Sequence, residues 1–184
     1  MNVFSRRLFF TGLFVFGLWI AVYAADMLTL VKELSQIEFV GSKPGASHRG
    51  GFKRFTADAA AGWGDLSNSN FKIEIDATSL WSDSGGLATH LKNSDFFDVS
   101  RYPGITFETT RIELKSASEA VVTGKLTMLG KAVEITVPCK IEVTDGGLKV
   151  KSEFKIDRTQ WGMTYGKGRV DDEVEVTARF VFGR

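Results

Sequence analysis

Apolar and polar residues alternate with a period of two along much of the chain after Ser35, and this pattern limits the fold most strongly. The clearest runs are residues 71–77, 133–137, 139–143 and 174–180. Successive side chains of a β-strand point to opposite faces, so each run predicts a strand with one dry face and one wet face. That pattern favours antiparallel sheet, since parallel strands covered on both sides are apolar throughout.

The number of such runs indicates that the sheet can close on itself. Further candidate strands are residues 37–41, 50–56, 105–113, 120–128 and 148–156. Asp145, Gly146 and Gly147 separate two runs at the spacing of a hairpin turn. The total of about eight or nine strands is one at which a sheet can form a barrel without exposed edges. The sequence therefore predicts an all-β barrel.

One segment departs from the alternation. Residues 86–97 lack it, and Leu87 and Leu91 have the i, i+4 spacing of a helix. We expect one short helix here, covering one end of the barrel. No repeat or linker marks a second domain, so residues 25–184 are predicted to form a single domain.

The N-terminal segment has the features of an export signal. Arg6 and Arg7 precede residues 8–25, a stretch of 18 residues without a charge that contains Val22, Tyr23 and Ala24. A positive start, an apolar run and small residues at the cleavage site predict a signal peptide over residues 1–24. The alternatives are an uncleaved membrane anchor and, because of the paired arginines, twin-arginine rather than general secretory export. Each places the domain in the periplasm, in the medium or anchored outside the cytoplasmic membrane.

Charge and residue usage argue against several classes of function. The chain has 23 basic and 22 acidic residues, without the excess of cations that nucleic-acid binding requires. Cys139 is the only cysteine, and His48 and His90 are the only histidines. One cysteine and two histidines are too few for an intramolecular disulfide or for the usual Cys and His metal sites. We predict no metal site, no cofactor and no nucleic-acid partner.

The alternation leaves the use of the barrel interior open. A small barrel either fills its lumen with its own side chains or keeps a cavity for one ligand. Ten of the 15 phenylalanines follow the signal segment, and large aromatic residues are usually buried in either case.

The run from His90 to Phe107, HLKNSDFFDVSRYPGITF, resembles the signature of the YceI-like family. Residues 37–43, 122–130 and 154–163 are similar to other strands of that family. The resemblance implies an eight-stranded antiparallel lipocalin-like barrel, with one short helix near residues 86–97. It also implies a tunnel that holds a prenyl or fatty chain, and a periplasmic location.

The expected ligand-binding residues come from two sources. The resemblance places five residues on or near the tunnel wall: Phe39, Phe96, Phe97, Phe107 and Trp161. Alternation adds seven inward-facing residues: Phe71, Ile73, Ile75, Ile135, Val137, Phe154 and Ile156. Candidates for contact with a ligand headgroup are His90, Arg158 and Arg169, although each is also explained by a local hydrogen bond or ion pair.

The expected function is the binding and transport or storage of a long-chain apolar lipid, a polyisoprenoid or similar amphiphile. Transient membrane contact would fit such a cargo, and the oligomeric state is open, a homodimer being one alternative. A non-catalytic structural or interaction barrel without lipid is the second hypothesis. The third is an enzyme acting on bound lipid, with His90 as the acid or base. We predict no catalytic residue, because no base is evident near Cys139 and no nucleophile motif occurs.

Overall fold

The structure, a computed structural model, describes residues 26–63 and 65–184. The predicted signal peptide, residues 1–24, lies outside the described residues. The strands are β1 Asp26–Leu30, β2 Gln36–Lys43, β3 Ala46–Phe52, β4 Phe55–Ala61, β5 Asn70–Asp76, β6 Leu80–Ser82, β7 Gly104–Leu114, β8 Glu119–Met128, β9 Lys131–Thr144, β10 Gly147–Asp157 and β11 Glu173–Gly183. The helix α1 spans Gly85–Lys92, between β6 and β7.

These segments form a closed antiparallel barrel. The pairing order is β1-β4-β5-β7-β8-β9-β10-β11-β2-β3-β6, and β1 also pairs with β11, which closes the ring. β1 and β2 occupy consecutive parts of one barrel strand, as do β3 with β4 and β5 with β6. Counted in this way the barrel has eight strands, as predicted.

The predicted strand boundaries needed three corrections. Neither β1 nor β6 was predicted. The run 50–56 is broken at Lys53 and Arg54, which separate β3 from β4. The runs 133–137 and 139–143 are one strand, because β9 continues through Pro138 and stays paired with β8 on that side.

A β-bulge in β7 keeps the apolar face of that strand inside. Thr109 pairs with Gly124 on β8, but the next partner of β8, Thr123, pairs with Arg111. The extra residue shifts the alternation by one position. As a result the Arg111 side chain is 71% exposed, whereas Ile112 is buried.

The two ends of the barrel are covered differently. At one end Leu28 of β1 packs into the main apolar core together with Ala59 and Phe182. At the other end lies α1, as predicted, with Leu91 packed against the same core. The helix is shorter than the predicted segment, which continues as turns over residues 93–97. No helix within the described residues is long and apolar enough to cross a membrane.

Candidate ligand-binding site

The barrel holds a cavity of about 460 Å³ that is partly open to solvent. This lies within the range of about 300–1,000 Å³ that is usual for small-molecule sites. Its wall is built from the inward faces of the barrel strands and is largely apolar. An apolar wall of this size can hold an apolar chain without any catalytic group.

Most of the sequence-predicted wall residues lie on this cavity. The eleven are Phe39, Phe71, Ile73, Ile75, Phe96, Phe97, Phe107, Ile135, Val137, Phe154 and Ile156. All but Phe96 and Phe97 are on strands, where alternation turns them inward. Their contact with a ligand remains a prediction.

Two predicted site residues lie elsewhere. Trp161 is only 3% exposed but is not part of the cavity wall. Its indole N–H donates to the carbonyl of Leu126 at 2.9 Å, which fixes the ring within the main apolar core. Arg169 is exposed and does not line the cavity. It lies in a turn, in which its backbone N–H donates to the carbonyl of Gly166.

Sequence reasoning missed a second set of wall residues. On strands these include Val122, Leu126, Met128, Val150, Val176, Ala178, Phe180 and Phe182. The same period-two alternation could have identified them, since they follow it within β8, β10 and β11. Met163, Tyr165 and Val170 also line the cavity, but they lie in the loop before β11, where no periodicity points to them.

Several polar side chains of the wall lie at the end of the cavity near α1, and we call this end the rim. They include Lys43, His48, Ser82, His90 and Asp171. His48 Nδ1 lies 3.0 Å from Asp83 Oδ1. The backbone N–H of Arg49 and then His48 hold the pKa of the Asp83 carboxyl below its usual value. An apolar cavity with a polar rim is suited to an amphiphile.

His90 is held by its own neighbourhood. Its Nε2 and the Asp95 carboxylate form a hydrogen bond of 2.9 Å. Its ring contacts Phe96 and Tyr165, with centroids 5.1 and 5.0 Å away. These contacts join α1 to the loop before β11. The structure therefore contains the local hydrogen bond that the sequence analysis gave as an alternative role for His90. Contact of His90 with a headgroup remains a prediction.

Arg158 is a buried positive charge at the rim, and only 3% of it is exposed. Its guanidinium donates to the carbonyls of Asp171, Met163 and Val170, at 3.0, 2.6 and 3.2 Å. It also donates to the Asp172 carboxylate at 3.2 Å. These bonds fix the loop over residues 162–172, which carries part of the cavity wall. Contact of Arg158 with a headgroup also remains a prediction.

We expect Arg158→Met to lower the free energy of unfolding by about 3 kcal/mol, because buried carbonyls that lose their donor cost about 1–3 kcal/mol each when unsatisfied. For a chain of this size the melting temperature should fall by roughly 10 °C. Thermal unfolding followed by circular dichroism measures the effect. Arg169→Met, at an exposed arginine of the same loop, is the matched control and should change stability by less than about 0.5 kcal/mol. An equal response of the two variants would contradict the role of Arg158.

Cys139 is also part of the wall and is 8% exposed. Burial raises the pKa of its thiol to about 11. The group is therefore a neutral thiol near pH 7 and a poor nucleophile. Within residues 26–63 and 65–184, no cluster of three or more His, Cys, Asp or Glu side chains is arranged to hold a metal ion.

Comparison with known families gives a match over nearly all of the described chain. The model of the YceI-like domain matches residues 28–182. A UPF0312 protein of Vibrio parahaemolyticus is 31% identical over 136 residues, which cover 72% of each chain. A UPF0312 protein of Pseudomonas putida is 34% identical over 100 residues, 53% of this chain and 49% of the relative.

Solved structures show the same fold. BcnA of Burkholderia cenocepacia is similar with a TM-score of 0.77 and 24% identity, covering 82% of this chain and 98% of BcnA. A domain from Saccharophagus degradans, described as polyisoprenoid-binding, is similar with a TM-score of 0.64 and 12% identity, covering 86% and 98% of the two chains. At these identities the similarity shows the fold.

Proposed function

The chain belongs to the YceI-like domain family, and on that basis we propose that it binds a long-chain apolar lipid, a polyisoprenoid or similar amphiphile, inside the barrel. The observation that carries the proposal is the apolar cavity of about 460 Å³ inside the barrel, with its polar rim. The lipid chain would contact the apolar wall of the cavity, and the polar headgroup would contact the rim. In this proposal the protein carries or stores the lipid and does not transform it.

The energetics of such binding are favourable. Each methylene removed from water contributes about 0.8 kcal/mol, so ten carbons contribute about 8 kcal/mol. Ordering of the chain and loss of its free motion oppose this gain. The remainder is compatible with a carrier that both takes up and releases its cargo.

The description of the Saccharophagus degradans domain as polyisoprenoid-binding supports the same ligand class here. The alternative of a structural barrel without cargo expects a lumen packed by side chains, which the cavity disfavours. We do not propose catalysis. His90 is paired with Asp95, and the Cys139 thiol is protonated near pH 7.

We also propose that the domain works outside the cytoplasmic membrane, on the basis of Arg6, Arg7 and the uncharged segment that follows them. A soluble carrier in that compartment would shield a lipid chain from water between membranes. Transient contact with a membrane would load and unload it. A homodimer remains an alternative to a monomer.

Lipid extraction tests the proposed function directly. The full chain is produced with export in a bacterium, purified without detergent and extracted with organic solvent. Mass spectrometry should detect a long-chain lipid in amounts close to one molecule per barrel. Protein that is repeatedly empty, and that binds neither polyprenyl lipids nor fatty acids after delipidation, would contradict the proposal.

A further inference from the structure

One polar group on the apolar wall has no partner. The Thr109 side chain lines the cavity, and its hydroxyl is buried without a hydrogen bond. Building on the proposed function, we propose that Thr109 selects lipids with an oxygen part-way along the apolar chain. A carbonyl, ether or hydroxyl oxygen would accept a hydrogen bond from the Thr109 hydroxyl.

The cost of the unpaired hydroxyl motivates this assignment. A buried donor left unsatisfied costs about 1–3 kcal/mol, and native proteins keep few of them. A ligand oxygen would remove that cost, whereas a plain hydrocarbon chain would leave it in place. The difference between the two ligands is the basis of selection.

The other weakly polar groups of the wall differ from Thr109 in this respect. Ser152 donates to the carbonyl of Pro138 at 2.5 Å, and the Cys139 thiol donates to the carbonyl of Val137 at 3.7 Å. Both therefore have partners within the barrel. A second unpaired buried group in the described chain, the indole N–H of Trp63, does not line the cavity. Within the described residues, Thr109 is thus the unpaired buried donor on the cavity wall. A rotation about its χ1 bond to another staggered position would turn the hydroxyl toward the lumen, where a ligand could reach it.

The surroundings of Thr109 indicate where the ligand oxygen must lie. The inward neighbours of Thr109 on β7 are Phe107 and Ile112, so the hydroxyl is flanked by apolar side chains. Its cross-strand partner on β8 is Gly124. A Cβ there would stand 2.4 Å from the Phe107 ring, so the ring occupies the space that a side chain would need. Apolar surroundings require the oxygen to belong to the chain region of the lipid and not to a charged headgroup.

A positional series of lipids tests the inference. The probes are octadecanoic acid and its hydroxy and keto derivatives, each substituted at a different chain position, titrated into delipidated full-length protein. The wild type should bind at least one oxygenated isomer about tenfold more tightly than octadecanoic acid, the ratio expected for one hydrogen bond of ordinary strength. Separate hydroxy and keto arms show which kind of oxygen is preferred.

Substitutions then assign the preference to one hydroxyl. Thr109→Val keeps the branched shape and should remove the preference, so that the affinities for the oxygenated isomer and for octadecanoic acid then agree within about twofold. Thr109→Ser keeps a hydroxyl and should retain it. Thr106→Val, on the outer face of the same strand, is the matched control and should leave the preference intact. Thermal unfolding should show Thr109→Val at least as stable as the wild type, because an unsatisfied polar group is removed.

Three results would overturn the inference in distinguishable ways. If the wild type binds all fatty acids but shows no positional preference, Thr109 selects nothing and the proposed function stands. If the preference survives Thr109→Val, a group other than the Thr109 hydroxyl binds the ligand oxygen. If no fatty or polyprenyl chain binds the wild type, the proposed function fails and the selection fails with it.

Discussion

Ala178→Phe is expected to reduce lipid binding more than a hundredfold while the barrel remains folded. Ala178 lies on β11 with its side chain on the cavity wall. In register it stands between Ser152 of β10 and Ile37 of β2. A phenyl ring placed there projects into the lumen. Displacing about four methylenes of ligand would cost about 3 kcal/mol, which corresponds to more than a hundredfold in affinity.

The stability of this variant should change little. Inserting a larger side chain into a packed core usually costs about 1–3 kcal/mol. At Ala178 the new ring enters empty space, so part of that cost is offset by the apolar surface that it covers. Loss of binding would then report a blocked lumen and not an unfolded protein.

Thr177→Phe supplies the matched control, because it adds the same ring one residue earlier, on the outer face of the strand. Both variants are purified in parallel with the wild type, and bound lipid is measured by mass spectrometry beside a thermal unfolding curve. Only Ala178→Phe should lose its lipid. A folded Ala178→Phe that still carries one lipid per chain would place the ligand outside the lumen.

Much of the barrel follows from local pattern. Period-two alternation identifies β5, β8, β10 and β11, because one face of each is dry and the other wet. It does not identify β1, whose five residues follow directly on an apolar segment that reads as an export signal. β1 becomes a barrel strand through pairing with β4 and β11, which are distant in sequence.

The place where the pairing between β9 and β10 ends is also determined by tertiary structure. The β9–β10 ladder stops at the Cys139–Ser152 pair. Beyond this pair β9 is hydrogen-bonded only to β8, and β10 only to β11. Pro138 next to this point lacks an N–H, which the sequence shows. Which neighbour would lose a hydrogen bond to it could not be predicted without the register.

The residues of the candidate site also fall into two groups, those that local alternation predicts and those that depend on long-range contacts. Strand residues such as Ile135 and Phe154 were assigned to the wall because alternation places them there. Trp161 was assigned to the wall by the family resemblance, and it lies in the 3₁₀ turn after β10, where alternation gives no information. Tyr165 reaches the wall in a loop that Arg158 fixes from a buried position. A long-range contact of this kind has no local sequence signal.

The largest expected loss of stability comes from a single methyl group at Gly147. Gly147 is the first residue of β10 and has a φ of +146°. Residues other than glycine rarely adopt this backbone conformation. Gly147 pairs with both Thr144 and Gly183, at the turn between β9 and β10 and at the end of β11. A Cβ there would lie 1.9 Å from the carbonyl oxygen of Phe182. Since that atom belongs to the backbone, a rotamer change cannot relieve the clash.

Gly147→Ala must therefore separate β10 from β11 where their ladder begins, and we expect the free energy of unfolding to fall by more than about 4 kcal/mol. Gly146→Ala is the matched control, because its φ is not positive and the nearest atom to a new Cβ, Thr144 Oγ1, is 4.0 Å away. That variant should lose less than about 1 kcal/mol. Urea unfolding at equilibrium measures both. Equal and small losses would mean that the β10–β11 ladder can shift at this end, so that the barrel is closed by the remaining pairs and not by the tight contact at Gly147.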